Sequence, residues 1–221
     1  MVHRMFTLVV NHVDRFRGLV LTRPNWLLDI MKSSWHCFST EKPVVLCLGL
    51  GSPSSSHVSR VQLAFLSEAC QSLEVNPGDI SIYDPVFTTE DHLLFEELNM
   101  KVLIETANKS AASYALNVPT ICFMPHCDLD LYESLLQSNW NRAQLSNIFL
   151  IGNHLEMYLE NKSKRALESG SPCLLQIAPL LDCRPLPASD SWPTAFNNIS
   201  VHFLHSDFCW PTAARGFMSD R

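Results

Sequence analysis

Short apolar runs recur along this chain, and four of the six stop abruptly on glycine, aspartate–proline, proline–histidine or glycine–asparagine. The first, Val44-Val45-Leu46-Cys47-Leu48, feeds into Gly49-Leu50-Gly51-Ser52. Ile80-Ser81-Ile82-Tyr83 ends on Asp84-Pro85, and Lys101-Val102-Leu103-Ile104 follows after a helical segment. Thr120 to Met124 closes on Pro125-His126-Cys127-Asp128, Ile148 to Ile151 on Gly152-Asn153-His154, and Ile199 to Leu204 is the last run. Runs this short, apolar on both faces and separated by segments with helical periodicity, are the mark of a parallel sheet covered on both sides. Val58, Val61, Phe65, Ala69 and Leu73, at spacings of three and four, give the first of those helices its buried stripe. Further helices are expected over about Thr88–Leu98, Leu129–Gln137 and the stretch from His154 to Glu168. The predicted fold is therefore α/β: a Rossmann-like, doubly wound, mostly parallel sheet with helices on both faces.

This reading divides the 221 residues into a helical or irregular N-terminal segment over 1–42, the Rossmann-like domain over 43–205, and an irregular tail over 206–221. In the first segment Phe6, Val9, Val10, Val13 and Phe16 suit a helix, Trp26 to Met31 a short helical turn, and Ser33 to Lys42 a linker. The Pro- and Ser-rich stretch 171–195 reads as irregular.

Composition restricts function more by exclusion. A net charge of −6 provides no global field for nucleic acid or an anionic membrane. The basic run Lys162-Ser163-Lys164-Arg165 lies among glutamates three and four residues away and reads as a solvated helix face. The eight cysteines show no C-x-x-C pair and several stand inside apolar runs, as small hydrophobes do. No run has the length of a membrane span or of a secretory leader, so the expectation is a reduced protein of the cytoplasm and also the nucleus.

In an open parallel sheet, ligands bind beyond the carboxyl ends of the strands, where strand order reverses. The residues ending the strands are thus the candidates: Gly49, Gly51, Ser52, Asp84 and Asn153 for holding a small ligand, His126 and Asp128 for chemistry. The glycines permit positive φ, and the helix N-terminus behind them would offer N–H groups to an anion, with Ser54, Ser55 or Ser56 as its cap. The pattern G-x-G-x-x-G is incomplete, with Ser54 in the third position and Pro53 removing one donor. A tight turn without ligand explains the same residues. Asp84 could accept from ribose hydroxyls or simply initiate the turn at Pro85. His126 suits a general base, a metal ligand or an orienting group, while Cys127 points to the opposite side and forms no ready dyad with it. His126, Cys127, His154 and His202 lack metal-binding spacing, so no metal is assigned. Trp140 suits either ring stacking or the core.

The ordered set VLCLGLGS (45–52), IYDPVF (82–87), FMPHCD (123–128), SNW (138–140), IGN (151–153) and NISVHF (198–203) resembles the sensitivity-to-red-light-reduced domain family. The resemblance implies a regulatory protein linked to circadian-clock function and to control of haem biosynthesis, working with protein partners that it does not identify. It supplies no catalytic residues and no cofactor. His154 stands where the family pattern has a small residue and Phe203 where it has Trp. The residues alone leave a second function open, a Rossmann-like transferase using S-adenosylmethionine or a nucleotide. Direct haem ligation by His126 or Cys127 is a third.

Overall fold

The computed structural model describes residues 26–104, 114–187 and 192–210. Its centre is a seven-stranded sheet in the order β3-β2-β1-β4-β5-β7-β6. The strands are β1 (Val44–Leu48), β2 (Ile80–Tyr83), β3 (Lys101–Val102), β4 (Thr120–Met124), β5 (Ile148–Asn153), β6 (Asp182–Pro185) and β7 (Ile199–Phe203). Pairings among β1 to β5 are parallel, whereas β7 runs antiparallel to both of its neighbours, β5 and β6.

Alternation of side chains turns each continuous apolar run into two half-cores. Val45, Cys47, Ile121, Phe123, Phe149 and Ile151 face one layer. Leu46, Leu48, Cys122, Met124, Ile148 and Leu150 face the other. The first layer is covered by α1 (Trp26–Phe38), α2 (His57–Ser72) and α3 (Thr89–Glu97), the second by α4 (Leu129–Ser138) and α8 (Pro172–Ile177). Between α4 and α8 come the short helices α5 (Arg142–Leu145), α6 (Glu156–Asn161) and α7 (Lys164–Gly170). No helix among the described residues is long and apolar enough to cross a membrane.

Two segments differ from the sequence expectation. The linker expected over Ser33–Lys42 is helix as far as Phe38, and Leu28, Met31, Trp35 and Phe38 form its buried stripe at spacings of three and four. Trp35 meets the Phe149 ring edge-on at 5.2 Å and Phe38 approaches Phe203 at 6.3 Å. The polar residues Lys32, Ser33 and His36 obscure that stripe on a first reading. The stretch 171–195, expected to be irregular, contains α8 and the outer strand β6. Pro172 takes the first turn of α8, and the next two free N–H groups, of Cys173 and Leu174, donate to the two oxygens of buried Glu133, each at 3.0 Å. A carboxylate from another helix therefore caps it, a partner that local sequence cannot reveal. Expected elements at residues 5–16 and in the tail from 211 lie outside the described residues. Residues 206–210 are irregular and lay Phe208 and Trp210 against the second half-core.

Trp35→Ala should lower stability by about 3–5 kcal/mol, the usual cost of emptying an aromatic site in a core. A urea midpoint equal to that of the unmutated chain would show that α1 is not part of this core.

Candidate functional site

The strand order reverses between β1, which leads outward to β2 and β3, and β4, which begins the march the other way. A crevice is expected beyond the ends of this pair, and the loops after β1, β2, β4 and β5 converge on it.

The loop after β1 holds Gly49 at φ +68° and Gly51 at φ +74°, conformations that favour glycine. A Cβ on Gly49 would overlap Cys127 Sγ, which donates to the Leu48 carbonyl at 3.2 Å. On Gly51 it would lie 2.7 Å from Ser59 Oγ. Both glycines thus make room for the chain itself. Ser56 caps α2, accepting from the Ser59 N–H at 3.2 Å.

Two backbone donors and one hydroxyl of the expected anion cradle are already paired. Asp84 accepts from the Gly51 N–H at 2.7 Å and, through its other oxygen, from the Val86 N–H at 3.0 Å. It therefore makes its local turn and bridges to the glycine loop at once. A second carboxylate, Asp91, accepts from the Ser52 hydroxyl at 2.6 Å and from the Ser54 N–H at 2.7 Å, while taking the Thr88 N–H at 2.9 Å. The expectation of free donors awaiting an anion is corrected for Gly51 and Ser54: their N–H groups are paired with these side chains. Two carboxylates repel phosphate and favour hydroxyl donors or a cation.

Asp91 escaped the sequence reading, although Thr88 and Asp91 have the spacing of a capping box, which the structure contains. Local spacing identifies the cap; only the fold carries the same carboxylate across to β1. Burial pushes this carboxyl up, but the hydrogen bonds from Ser52, Thr88 and Ser54 outweigh it and hold the group below its ordinary value.

After β4, His126 takes φ +55° and is exposed, Cys127 is buried, and Asp128 is exposed at the start of α4 without a side-chain capping bond. Burial, reinforced by Asp84 and Asp128, pushes the Cys127 thiol up to about 12. It is a protonated, packed thiol, unlike an activated nucleophile. After β5, the Asn153 amide donates to the Cys127 carbonyl at 3.0 Å and to Tyr158 Oη at 2.8 Å. Asn153 thereby fastens the β4 loop to β5 and stands one strand away from the glycines. Tyr132, also missed, donates to the Met124 carbonyl at 2.6 Å and accepts from the Asn153 N–H at 2.9 Å. Its hydroxyl would lie 2.7 Å from a Cβ on Gly152, which gives the glycine inside β5 its reason. Asn139 is fully buried, pairing with backbone at Leu116, Tyr114 and Leu135, and Trp140 packs against the second half-core.

Gly49, Gly51, Ser52 and Asp84 thus form one connected loop pair, with Cys127 as its floor and Asn153 behind that floor. The domain model of the SRR1 domain matches residues 29–203. The chain belongs to the SRR1 domain family. A mouse SRR1-like protein is 32% identical over 133 residues, covering 60% of this chain and 53% of the relative. The protein SENSITIVITY TO RED LIGHT REDUCED 1 of Arabidopsis thaliana is 37% identical over 115 residues, covering 52% of this chain and 41% of the relative. A Drosophila melanogaster SRR1-like protein is 27% identical over 160 residues, covering 72% and 54%. The chain thus spans about half the length of the curated relatives it matches. Among solved structures, an SAH-bound methyltransferase of Podospora anserina aligns at TM-score 0.44 and 11% identity over 89% of this chain and 87% of its own. A likeness at that level assigns nothing to the SRR1 domain.

Gly49→Ala should destabilise strongly, through both the positive φ and the clash with Cys127. Combining it with Cys127→Ala should recover the steric part and leave about 1–2 kcal/mol of backbone strain. Strict additivity of the two substitutions in chemical denaturation would show that the contact between them carries no weight. Asp91→Asn should cost about 2 kcal/mol near neutral pH. Because the folded-state pKa of Asp91 lies below its unfolded value near 3.9, its stabilisation is complete well above that value and is lost as pH falls through the folded pKa. The gap between the two proteins should accordingly close below about pH 4. A gap independent of pH would mean that the carboxylate charge is not what holds the loop.

Proposed function

We propose that this chain is a regulatory protein whose strand-end crevice binds a small ligand and whose output passes through protein partners. In this proposal, which the resemblance to the sensitivity-to-red-light-reduced family supports, the regulation concerns circadian-clock function and control of haem biosynthesis, and the protein works in the cytoplasm and also the nucleus. Neither nucleic acid nor a membrane is among its direct partners in this reading.

The observation that carries the binding role is the state of the glycine loop. Its Gly51 N–H, Ser52 hydroxyl and Ser54 N–H are committed to Asp84 and Asp91, its nearest thiol is buried and protonated, and His126 is exposed. Groups arranged in this way suit recognition better than general acid–base or nucleophilic work. The same carboxylates support one second reading, a transferase using S-adenosylmethionine. Asp84, after β2, would accept from ribose hydroxyls through the lone pairs that the Gly51 and Val86 N–H groups leave, and the acidic loop would tolerate a sulfonium cation where it opposes a pyrophosphate. In that reading the nucleotide alternative falls behind.

A thermal-shift titration against S-adenosylmethionine, NAD, ATP and haem tests these readings, because binding to the native state raises apparent stability. Asp84→Asn is the suitable control, because it keeps an acceptor in the loop: Gly51→Asp would add backbone strain and a contact with Ser59, and Asp84→Ala would strip the Gly51 and Val86 N–H groups of their acceptor. The expected outcome is a rise with S-adenosylmethionine, reduced in Asp84→Asn, and none with NAD or ATP. A rise with NAD or ATP would overturn the charge argument. No rise with any compound would leave regulation through protein partners alone.

A further inference from the structure

At the far side of the sheet from β3, one face of the last three strands gathers groups that the crevice does not use. His202 of β7 is opposite Cys183 of β6 and Leu150 of β5, and Ser200 is opposite Gly152. Residues 150, 152 and 154 alternate onto that same face, which brings His154 beside Cys183 and Ser200. Cys183 Sγ is 3.5 Å from His154 Nδ1, and His154 Nε2 is 3.6 Å from Glu156 Oε2. With Nε2–H turned to the carboxylate, Nδ1 is left as the acceptor.

Ser200 Oγ also lies 2.8 Å from Nδ1, but Ser200 is only 1% exposed and within the sheet. Cys183 is half-buried on β6, the sheet's outer strand, so it is the nucleophile that a reagent can reach. Burial and the Glu156 carboxylate raise its thiol above the ordinary value, against a lowering hydrogen bond from Ser200. A thiol kept protonated at rest needs a base within reach, and His154 is that base. His202, behind them, faces the Asn153 carbonyl at 3.0 Å, and burial lowers it to about 4, so it is neutral near pH 7.

We propose that Cys183, His154 and Glu156 form an acyl-transfer site at which Cys183 accepts a small acyl group from a thioester. Sγ attacks the acyl carbon while its proton passes to His154 Nδ1. The new S–C bond replaces the donor's C–S bond, and the proton leaves with the departing thiol. The products are S-acylated Cys183 and a free thiol, with no oxidant or reductant consumed. A leaving thiolate uses both the base and the acid function of one imidazole, which is why this electrophile fits the pair. Glu156 acts as a positioning residue through the ring.

The test is to incubate the full chain with S-acetyl-N-acetylcysteamine and follow acetylation of each cysteine by peptide mass spectrometry. Exposed Cys209 serves as the internal reference. Cys183 should acetylate at least about tenfold faster than Cys209, a margin at the low end of what a positioned base supplies. His154→Gln should bring it down to the Cys209 rate. Glu156→Gln should lower it several-fold, with Glu156→Asp restoring most of the loss; because this side chain is 57% exposed, these variants keep the test decisive even where His154→Gln fails to fold. A Cys183 rate no higher than that of Cys209, or a rate indifferent to a folded His154→Gln or to Glu156→Gln, would overturn the proposal.

Discussion

Burial of the central strands on both faces governs the rest of this molecule. With Val45, Cys47, Ile121 and Phe123 packed on one side and Leu46, Leu48, Cys122 and Met124 on the other, the middle of the sheet has almost no place for a polar side chain. Polar groups that the chain needs are displaced to strand ends and to the outer strands. Those shielded from water then have to satisfy their hydrogen bonds among themselves.

The glycine loop illustrates the consequence. A tight exit from β1 requires Gly49 and Gly51, and such an exit exposes backbone N–H groups that a buried loop cannot leave unpaired. Asp84 and Asp91 supply the acceptors, one from the end of β2 and one from the start of α3. The loop is rigid and acidic as a result, which separates it chemically from a phosphate cradle of similar sequence. On the other side of β1, Cys127 fills the space that Gly49 leaves, and the amide of Asn153 holds the Cys127 carbonyl. These contacts tie the ends of four strands, β1, β2, β4 and β5, to one another.

What was legible beforehand was whatever a local pattern encodes. The strand-length apolar runs marked β1, β2, β4, β5 and β7, and the spacing of Val58, Val61, Phe65 and Ala69 marked α2. Gly49, Gly51, Ser52 and Asp84 announced themselves by ending strands, and the structure brings them together. Only the first half of α1, Trp26 to Met31, was legible, because Lys32, Ser33 and His36 interrupt the stripe beyond it; α8 was hidden because its N-terminal acceptor is Glu133 from another helix, and β6 because a short polar strand at the edge carries no alternation. Asp91 was visible as a cap and invisible as a partner of Ser52.

By itself the sequence determined the class of fold, since runs apolar on both faces admit little besides a covered parallel sheet, and it determined the family through the ordered motifs at the strand ends. The tertiary structure alone decided what those motifs hold. Hydrogen bonds from Gly51 to Asp84 and from Ser54 to Asp91 join residues more than thirty positions apart, and the meeting of Cys183 with His154 brings the outer strand β6 to the end of β5 across β7. The charge of the loop and the neighbours of a thiol depend on which distant segments pack together, and no spacing within one segment encodes that.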